Sequence, residues 1–206
     1  MRVAIRHGIG RIAVPMTLIL VTALGAGAAQ AGSIDPDRST VLITGSNRGI
    51  GLAFAQHYVT AGWNVLATVR TPKRAAELTA LAEGYEHLVI EQLDVTDNQR
   101  IAELAEEYRD TEIDVLINNA GVYGGIETQS WGSLDAATFE QVMAVNVFAP
   151  MKMAEAFADH IAASEQKKIV SITSGAGTVS REGRPGGGLI YGVSKAALNM
   201  AMGQIR

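Results

Sequence analysis

Ser39-Thr40-Val41-Leu42-Ile43-Thr44-Gly45-Ser46-Asn47-Arg48-Gly49-Ile50-Gly51 is the stretch whose reading decides the fold. Ser39 to Ile43 is β-branched and apolar, which reads as a buried strand. The run passes directly into a glycine-spaced turn. A helical pattern follows from about Ile50 to Thr60, with Leu52, Phe54, Ala55 and Val59 apolar. Strand, glycine turn and helix in this order is the context that a dinucleotide site requires. Gly45 suits the tight turn, and Gly51 suits close helix–strand packing. Gly49 lets the backbone approach a pyrophosphate, which would lie on the helix N-terminus among unpaired N–H groups. The spacing G-x-x-x-G-x-G differs from the usual G-x-G-x-x-G, and an ordinary glycine turn carries the same letters.

Downstream, strand and helix patterns alternate. Trp63 to Val69, His87 to Leu93, Ile113 to Ile117 and Lys168 to Thr173 read as strands. Pro72 to Ala82 and Asp97 to Tyr108 read as helices. Leu134 to His160 predicts a long helical stretch bent at Pro150, and a last helix starts near Leu189. Such alternation predicts an α/β fold, a Rossmann-like doubly wound parallel sheet with helices on both faces. Ligands of such sheets bind beyond the carboxyl ends of the strands.

Near the end of the chain stands Tyr191-Gly192-Val193-Ser194-Lys195. On a helix, residues i and i+4 share a face. A nearby ammonium favours the phenolate of a tyrosine, which makes the phenol a usable acid or base near neutral pH. The same spacing also occurs on solvated helix faces. Charge speaks to the cofactor. Where an NAD site places Asp or Glu after its second strand, this chain has Arg70. Arginine welcomes a ribose 2′-phosphate, and Arg48, Lys73 and Arg74 are further candidates. NADPH is therefore the expected cofactor, with NAD possible.

Taken together, the glycine pattern, Asn118-Asn119-Ala120-Gly121, Asn146, Ser174, and Tyr191 with Lys195 resemble the short-chain dehydrogenase/reductase family. The resemblance runs from about Thr40 to Arg206. Finer details, among them Ser194-Lys195-Ala196-Ala197-Leu198-Asn199, are similar to its carbonyl reductase and C-factor-like branch. It implies a cofactor site built from Gly45, Ser46, Asn47, Arg48, Gly49, Ile50, Gly51, Arg70, Asp94, Val95, Asn118, Ala120, Gly121, Tyr191 and Lys195. It implies that Tyr191 protonates the developing alkoxide, that Lys195 assists it and holds the nicotinamide ribose, and that Ser174 orients the substrate oxygen. Asn146 is implied to hold a water that links Lys195 to solvent. The implied reaction is hydride transfer between a nicotinamide and a small carbonyl or alcohol. A non-catalytic nucleotide-binding or signalling protein on the same fold is the alternative. Pairing into a homo-oligomer through the long helices is a further expectation.

The chain also departs from that pattern. The stretch between Ser174 and Tyr191 is longer than usual, and Gly186-Gly187-Gly188 within it suggests a flexible loop near the substrate. Val122 to Ser133, with Tyr123 and Trp131, is a second irregular segment at the mouth. Relatives continue with further strands, a Pro-Gly turn and a lid. The expectation is thus a C-terminally truncated domain, with strand five left as an exposed edge.

Composition excludes several classes. Of 206 residues 48% are hydrophobic and 18% charged, enough for one domain with a sizeable core. A net charge of −4 without a basic block argues against nucleic acid. Without cysteine there are no disulfides or thiolate metal ligands. His7, His57, His87 and His160 are scattered, so no metal site is expected. Residues 1–31 are of another kind: Arg2, Arg6 and Arg11, an apolar Ile12 to Leu24, then Ala29-Gln30-Ala31. This is the layout of a secretory signal peptide, followed by a linker at 32–38 and the nucleotide-binding domain from residue 39. It predicts export, to the periplasm in a bacterium, and no membrane association after cleavage. The alternatives are a membrane anchor, for which the run is short, or a misplaced start of a cytoplasmic protein.

Overall fold

The computed structural model describes residues 33–178 and 188–205. The expectations placed on 1–31 and on the Arg181–Gly187 stretch lie outside the described residues. Five parallel strands form one sheet: β1 (Thr40–Thr44), β2 (Asn64–Val69), β3 (Leu88–Gln92), β4 (Val115–Asn118) and β5 (Lys168–Ser171). Their order is β3-β2-β1-β4-β5. The chain therefore builds outward on one side of β1 and then crosses back to the other side. The carboxyl ends of β1 and β4 meet at this switch point, where sheets of this kind bind ligands.

Register explains why the middles of β1, β2 and β4 are unbroken apolar runs. Leu42, Leu66 and Leu116 stand beside one another on one face, and Val41, Val65 and Val115 stand beside one another on the other. Each face is covered by helices. Val41, Ile43, Val65, Ala67 and Ile117 pack with Ala55 and Val59 of α1 (Gly49–Thr60) and Leu78 of α2 (Ala76–Glu83). Leu42, Leu66 and Leu116 pack with Ile101 and Leu104 of α3 (Asn98–Glu107) and with Met153 of α5 (Ala149–Ala156). Strands buried on both faces cannot alternate polar with apolar residues, hence the continuous runs in the sequence. β5 differs. It pairs with β4 alone among the described residues, and Lys168 and Val170 are exposed.

Two expected helices are interrupted. The Pro72–Ala82 stretch begins as a 3-10 turn, Pro72–Arg74, and Ala75, at φ −114° and ψ 45°, separates it from α2. The change expected at Pro150 takes the form of a π-helical segment at Ala144–Phe148, in the turn just before it, which joins α4 (Ala136–Met143) to α5. Phe148 and Ala149 are themselves helical, so the chain runs on without a free helix end, and the missing N–H and ring of Pro150 face that preceding turn. A second break at Phe157 starts the short α6 (Ala158–Ala163). The last helix, α7 (Leu189–Gln204), packs on the π segment, α4 and α5.

Residues 33–38, expected as a linker, are fastened to the sheet. The buried Asn64 amide donates to the carbonyls of Asp35 and Arg38 and accepts from the Asp35 N–H. Among the described residues, no helix is long and apolar enough to cross a membrane.

Candidate active site

The glycine loop is shaped by contact as much as by turn geometry. Gly45 and Gly49 have φ of +72° and +57°, the left-handed region that favours glycine. A β-carbon on Gly51 would lie 2.3 Å from the Gly45 carbonyl oxygen and 2.5 Å from Asn119 Nδ2. Gly51 thus lets α1 close on the loop itself, at the tip of β1, which is tighter than the strand packing the sequence suggests. A β-carbon on Gly49 would meet nothing within 4 Å. That side of the loop is open. Helix α1 starts at Arg48 with no side-chain cap and no acidic residue in its first turn. An open glycine backbone at an uncapped helix N-terminus fits the phosphates of a dinucleotide.

What holds the loop is Thr44 with Asn119, residues of two quoted motifs whose pairing the sequence did not announce. Thr44 Oγ1 accepts from the N–H groups of Asn119 and Ala120, both at 3.0 Å. Asn119 Nδ2 returns bonds to the carbonyls of Thr44 (2.9 Å) and Gly45 (3.0 Å). The ends of β1 and β4 are laced together across the switch point. A polar residue at a strand end was the available signal, but it is too common to identify either partner.

Three residues expected in the cofactor site face inward. Ser46 is fully buried: its Oγ donates to the Ile43 carbonyl and its N–H to the Thr68 carbonyl. Val95 belongs to the apolar core. Asn118 is buried, and its Nδ2 is turned to the Pro150 carbonyl at 3.4 Å. Their side chains therefore shape the site from within, and the exposed part of the Asn118–Gly121 run is Gly121. Asp94 is half-buried, with Oδ1 accepting from the Thr96 N–H and hydroxyl, while Asp97 caps α3. Arg48, Ile50 and Arg70 are exposed, and Asn47 is half-buried. The Ser46–Thr68 bond brings the loop of Arg48 beside the strand end that carries Arg70. Among the described residues, neither arginine is within ion-pair distance of a carboxylate.

The catalytic candidates converge on α7. Lys195 is buried, and its Nζ donates to the Ile172 carbonyl at 2.8 Å, just past β5. The same Nζ lies 5.7 Å from the centre of the Tyr191 ring. Burial holds the Lys195 ammonium below the usual lysine range. Ser174 caps a 3-10 turn, Gly175–Gly177, and its Oγ accepts from the Ala176 N–H. That turn is pressed onto α7: a β-carbon on Gly177 would lie 2.6 Å from the Lys195 carbonyl carbon. The tip of β5 and the helix of Tyr191 and Lys195 are thereby set as one unit.

Asn146 sits in the π segment, a distortion frequent at functional sites. Its amide makes a two-way pair with Val122, accepting from the N–H and donating to the carbonyl, each at 2.8 Å. Nδ2 also donates to Ser194 Oγ at 3.0 Å, and Ser194 Oγ donates to the Tyr191 carbonyl. Asn146 thus reaches the helix of Tyr191 and Lys195 through Ser194, a link absent from the expectations. A β-carbon on Gly121 would lie 3.3 Å from Asn146 Oδ1 and 3.7 Å from Lys195 Nζ, so both groups border that glycine. No group of three His, Asp or Glu that could hold a metal occurs among the described residues.

Comparison with known proteins agrees with this geometry. The sequence matches the short chain dehydrogenase family over residues 39–206. It is 32% identical over 168 residues to the short chain dehydrogenase penD of Penicillium thymicola, covering 78% of this chain and 59% of that protein. The chain spans 51 to 66% of the length of the curated relatives it matches. Among solved structures, the NADPH-bound carbonyl reductase from chicken fatty liver is 35% identical with a TM-score of 0.72, over 79% of this chain and 71% of that one. A carbonyl reductase from Pseudomonas aeruginosa PAO1 in complex with NADP is 31% identical with a TM-score of 0.69, over 79% and 72%.

Proposed function

Because the chain belongs to the short-chain dehydrogenase family, we propose that it serves an NADPH-dependent oxidoreductase that interconverts a carbonyl and an alcohol, with Tyr191 as the acid and base. The observation that carries the proposal is the buried Lys195, held at the tip of β5 with its Nζ 5.7 Å from the Tyr191 ring. When bound, the nicotinamide supplies or accepts the hydride. Tyr191 gives its proton to the oxygen that gains charge as a carbonyl is reduced, and takes it back in the reverse direction. Lys195 stabilises the phenolate left behind. One of its three N–H donors is used by Ile172, which leaves two for the phenol and for a ribose hydroxyl. Ser174 offers a hydroxyl to the substrate oxygen and orients it.

The phosphates are assigned to the open Gly49 side of the loop, and a ribose 2′-phosphate to Arg70 and Arg48. That two of the structural relatives bear NADPH or NADP supports the same choice. The basic start, apolar run and Ala29-Gln30-Ala31 support an exported protein, which N-terminal sequencing of the mature chain would test. The test of function is Tyr191→Phe. It keeps NADPH affinity and abolishes NADPH oxidation with aldehydes and ketones. Turnover retained in this variant refutes the mechanism, and tight NADPH binding without turnover in the wild type favours a non-catalytic nucleotide binder.

A further inference from the structure

We propose that Gln129 is the positioning residue for Tyr191, acting as a helix cap supplied from outside the helix. The first N–H groups of a helix have no partner within it, and the residue just before the helix commonly supplies one. Helix α7 has Gly188 in that place, which has no side chain to offer. The work falls to Gln129, which lies far away in sequence and is fully buried. Its carbonyl accepts from the Leu189 N–H at 3.1 Å, and its Oε1 accepts from the Tyr191 N–H at 2.9 Å. Its Nε2 donates to the Tyr123 carbonyl at 2.9 Å. Tyr123 completes the arrangement: its hydroxyl accepts from the Gly188 N–H at 2.8 Å, and its ring lies 5.0 Å from that of Tyr191.

Gly188 follows from the same packing. A β-carbon there would lie 2.0 Å from Gln129 Cδ and Oε1, so only glycine leaves room for the amide. The Tyr191 backbone is therefore fixed by the segment at the mouth of the site. Lys195, four residues further along, is fixed from the opposite side by Ile172. Loss of the Gln129 amide frees the first turn of α7 while its later turns stay anchored. The proposal rests on Tyr191 being the proton donor, but its structural half can be read without turnover.

The experiment compares Gln129→Met, which keeps the shape and removes both polar ends, with Gln129→Glu, which keeps the acceptor for the Tyr191 N–H at a helix N-terminus that favours it but gives up the donor to the Tyr123 carbonyl. Amide hydrogen exchange is followed at Tyr191 in the full chain, together with NADPH oxidation and NADPH affinity. In Gln129→Met, Tyr191 exchange speeds by about tenfold, the loss of one hydrogen bond. Its kcat falls by about tenfold or more, as misplacement of a catalytic group entails, while NADPH affinity holds. Gln129→Glu returns Tyr191 exchange towards wild type, since the acceptor for that N–H is kept. Tyr123→Phe exposes the Gly188 amide and leaves Tyr191 protected. Unchanged Tyr191 exchange in Gln129→Met overturns the proposal, as does Tyr191 exchange equally fast in the Met and Glu variants. Should the wild type show no turnover, the oxidoreductase reading falls, and the exchange data alone decide the role of Gln129.

Discussion

Adding one methyl group at Gly51 tests how the glycine loop is held. The new β-carbon of Gly51→Ala would lie 2.3 Å from the Gly45 oxygen, 2.5 Å from Asn119 Nδ2 and 3.0 Å from the Gly45 carbonyl carbon. Carbon and its neighbours rest at about 3.5 Å or more, so helix and loop must part by about 1 Å. Neither obstacle can swing away. One is backbone, and the other is held by two hydrogen bonds. Overpacking of this kind costs about 1–3 kcal/mol. Losing one Asn119 bond adds about 1 kcal/mol, and the gain in helix propensity from Gly to Ala returns about the same. The net expectation is a loss of about 1–3 kcal/mol in urea unfolding, with NADPH affinity weakened at least about tenfold as the phosphate-facing amides shift. Gly49→Ala is a control for unfolding alone: its β-carbon meets no protein atom within 4 Å and costs only the strain of φ +57°, about 1–2 kcal/mol, while the methyl enters the space proposed for the phosphates. If Gly51→Ala unfolds and binds NADPH like the wild type, the close approach of α1 to the loop is not what positions this site.

Asn119→Ala removes both returns to the loop and leaves the Gly45 end free; a loss of about 2 kcal/mol is expected in urea titration, with weaker NADPH binding. Arg70→Glu places an acid where a 2′-phosphate is expected; NADPH affinity falls by about tenfold to a hundredfold while NADH binding is spared, as measured by fluorescence titration. Lys195→Met lowers turnover by about a hundredfold or more. Its stability follows from linkage. Burial depresses the folded-state pKa of Lys195, so the folded protein binds fewer protons than the unfolded chain between that value and the ordinary lysine range. Wild-type stability therefore gains from this group as pH rises through that window. The Met variant lacks the gain, so thermal melts should show its stability relative to wild type declining from pH 7 to pH 10.

The sheet could be read from the sequence because its inner strands are buried on both faces, and unbroken runs such as Val41-Leu42-Ile43 have few other homes. Helix interruptions were harder to see. Pro150 is conspicuous, but the form the change takes, a π segment in the turn before it rather than a break, is written in no residue of that segment. The same contrast holds at the site. Gly45, Gly49, Tyr191 and Lys195 carry their chemistry in local spacing. Thr44 with Asn119, and Gln129 with Tyr191, are partners only because the fold brings distant segments together. For Ser46, Val95 and Asn118 the place in a motif was readable, but which way the side chain turned was not.

The lacing of Thr44 to Asn119 also dates the site in the life of the chain. During synthesis β1, β2 and β3 emerge first and can pair in sequence, since each is the next one's neighbour. At that stage the glycine loop is complete in covalent terms but has nothing to hold it. Its anchor arrives only when Asn119 has left the ribosome and β4 has slid in on the far side of β1. The loop therefore waits for 74 residues of sequence between Gly45 and Asn119 before its hydrogen-bond partner exists. The order of the strands makes one four-residue strand, β4, the element that completes the loop's anchor.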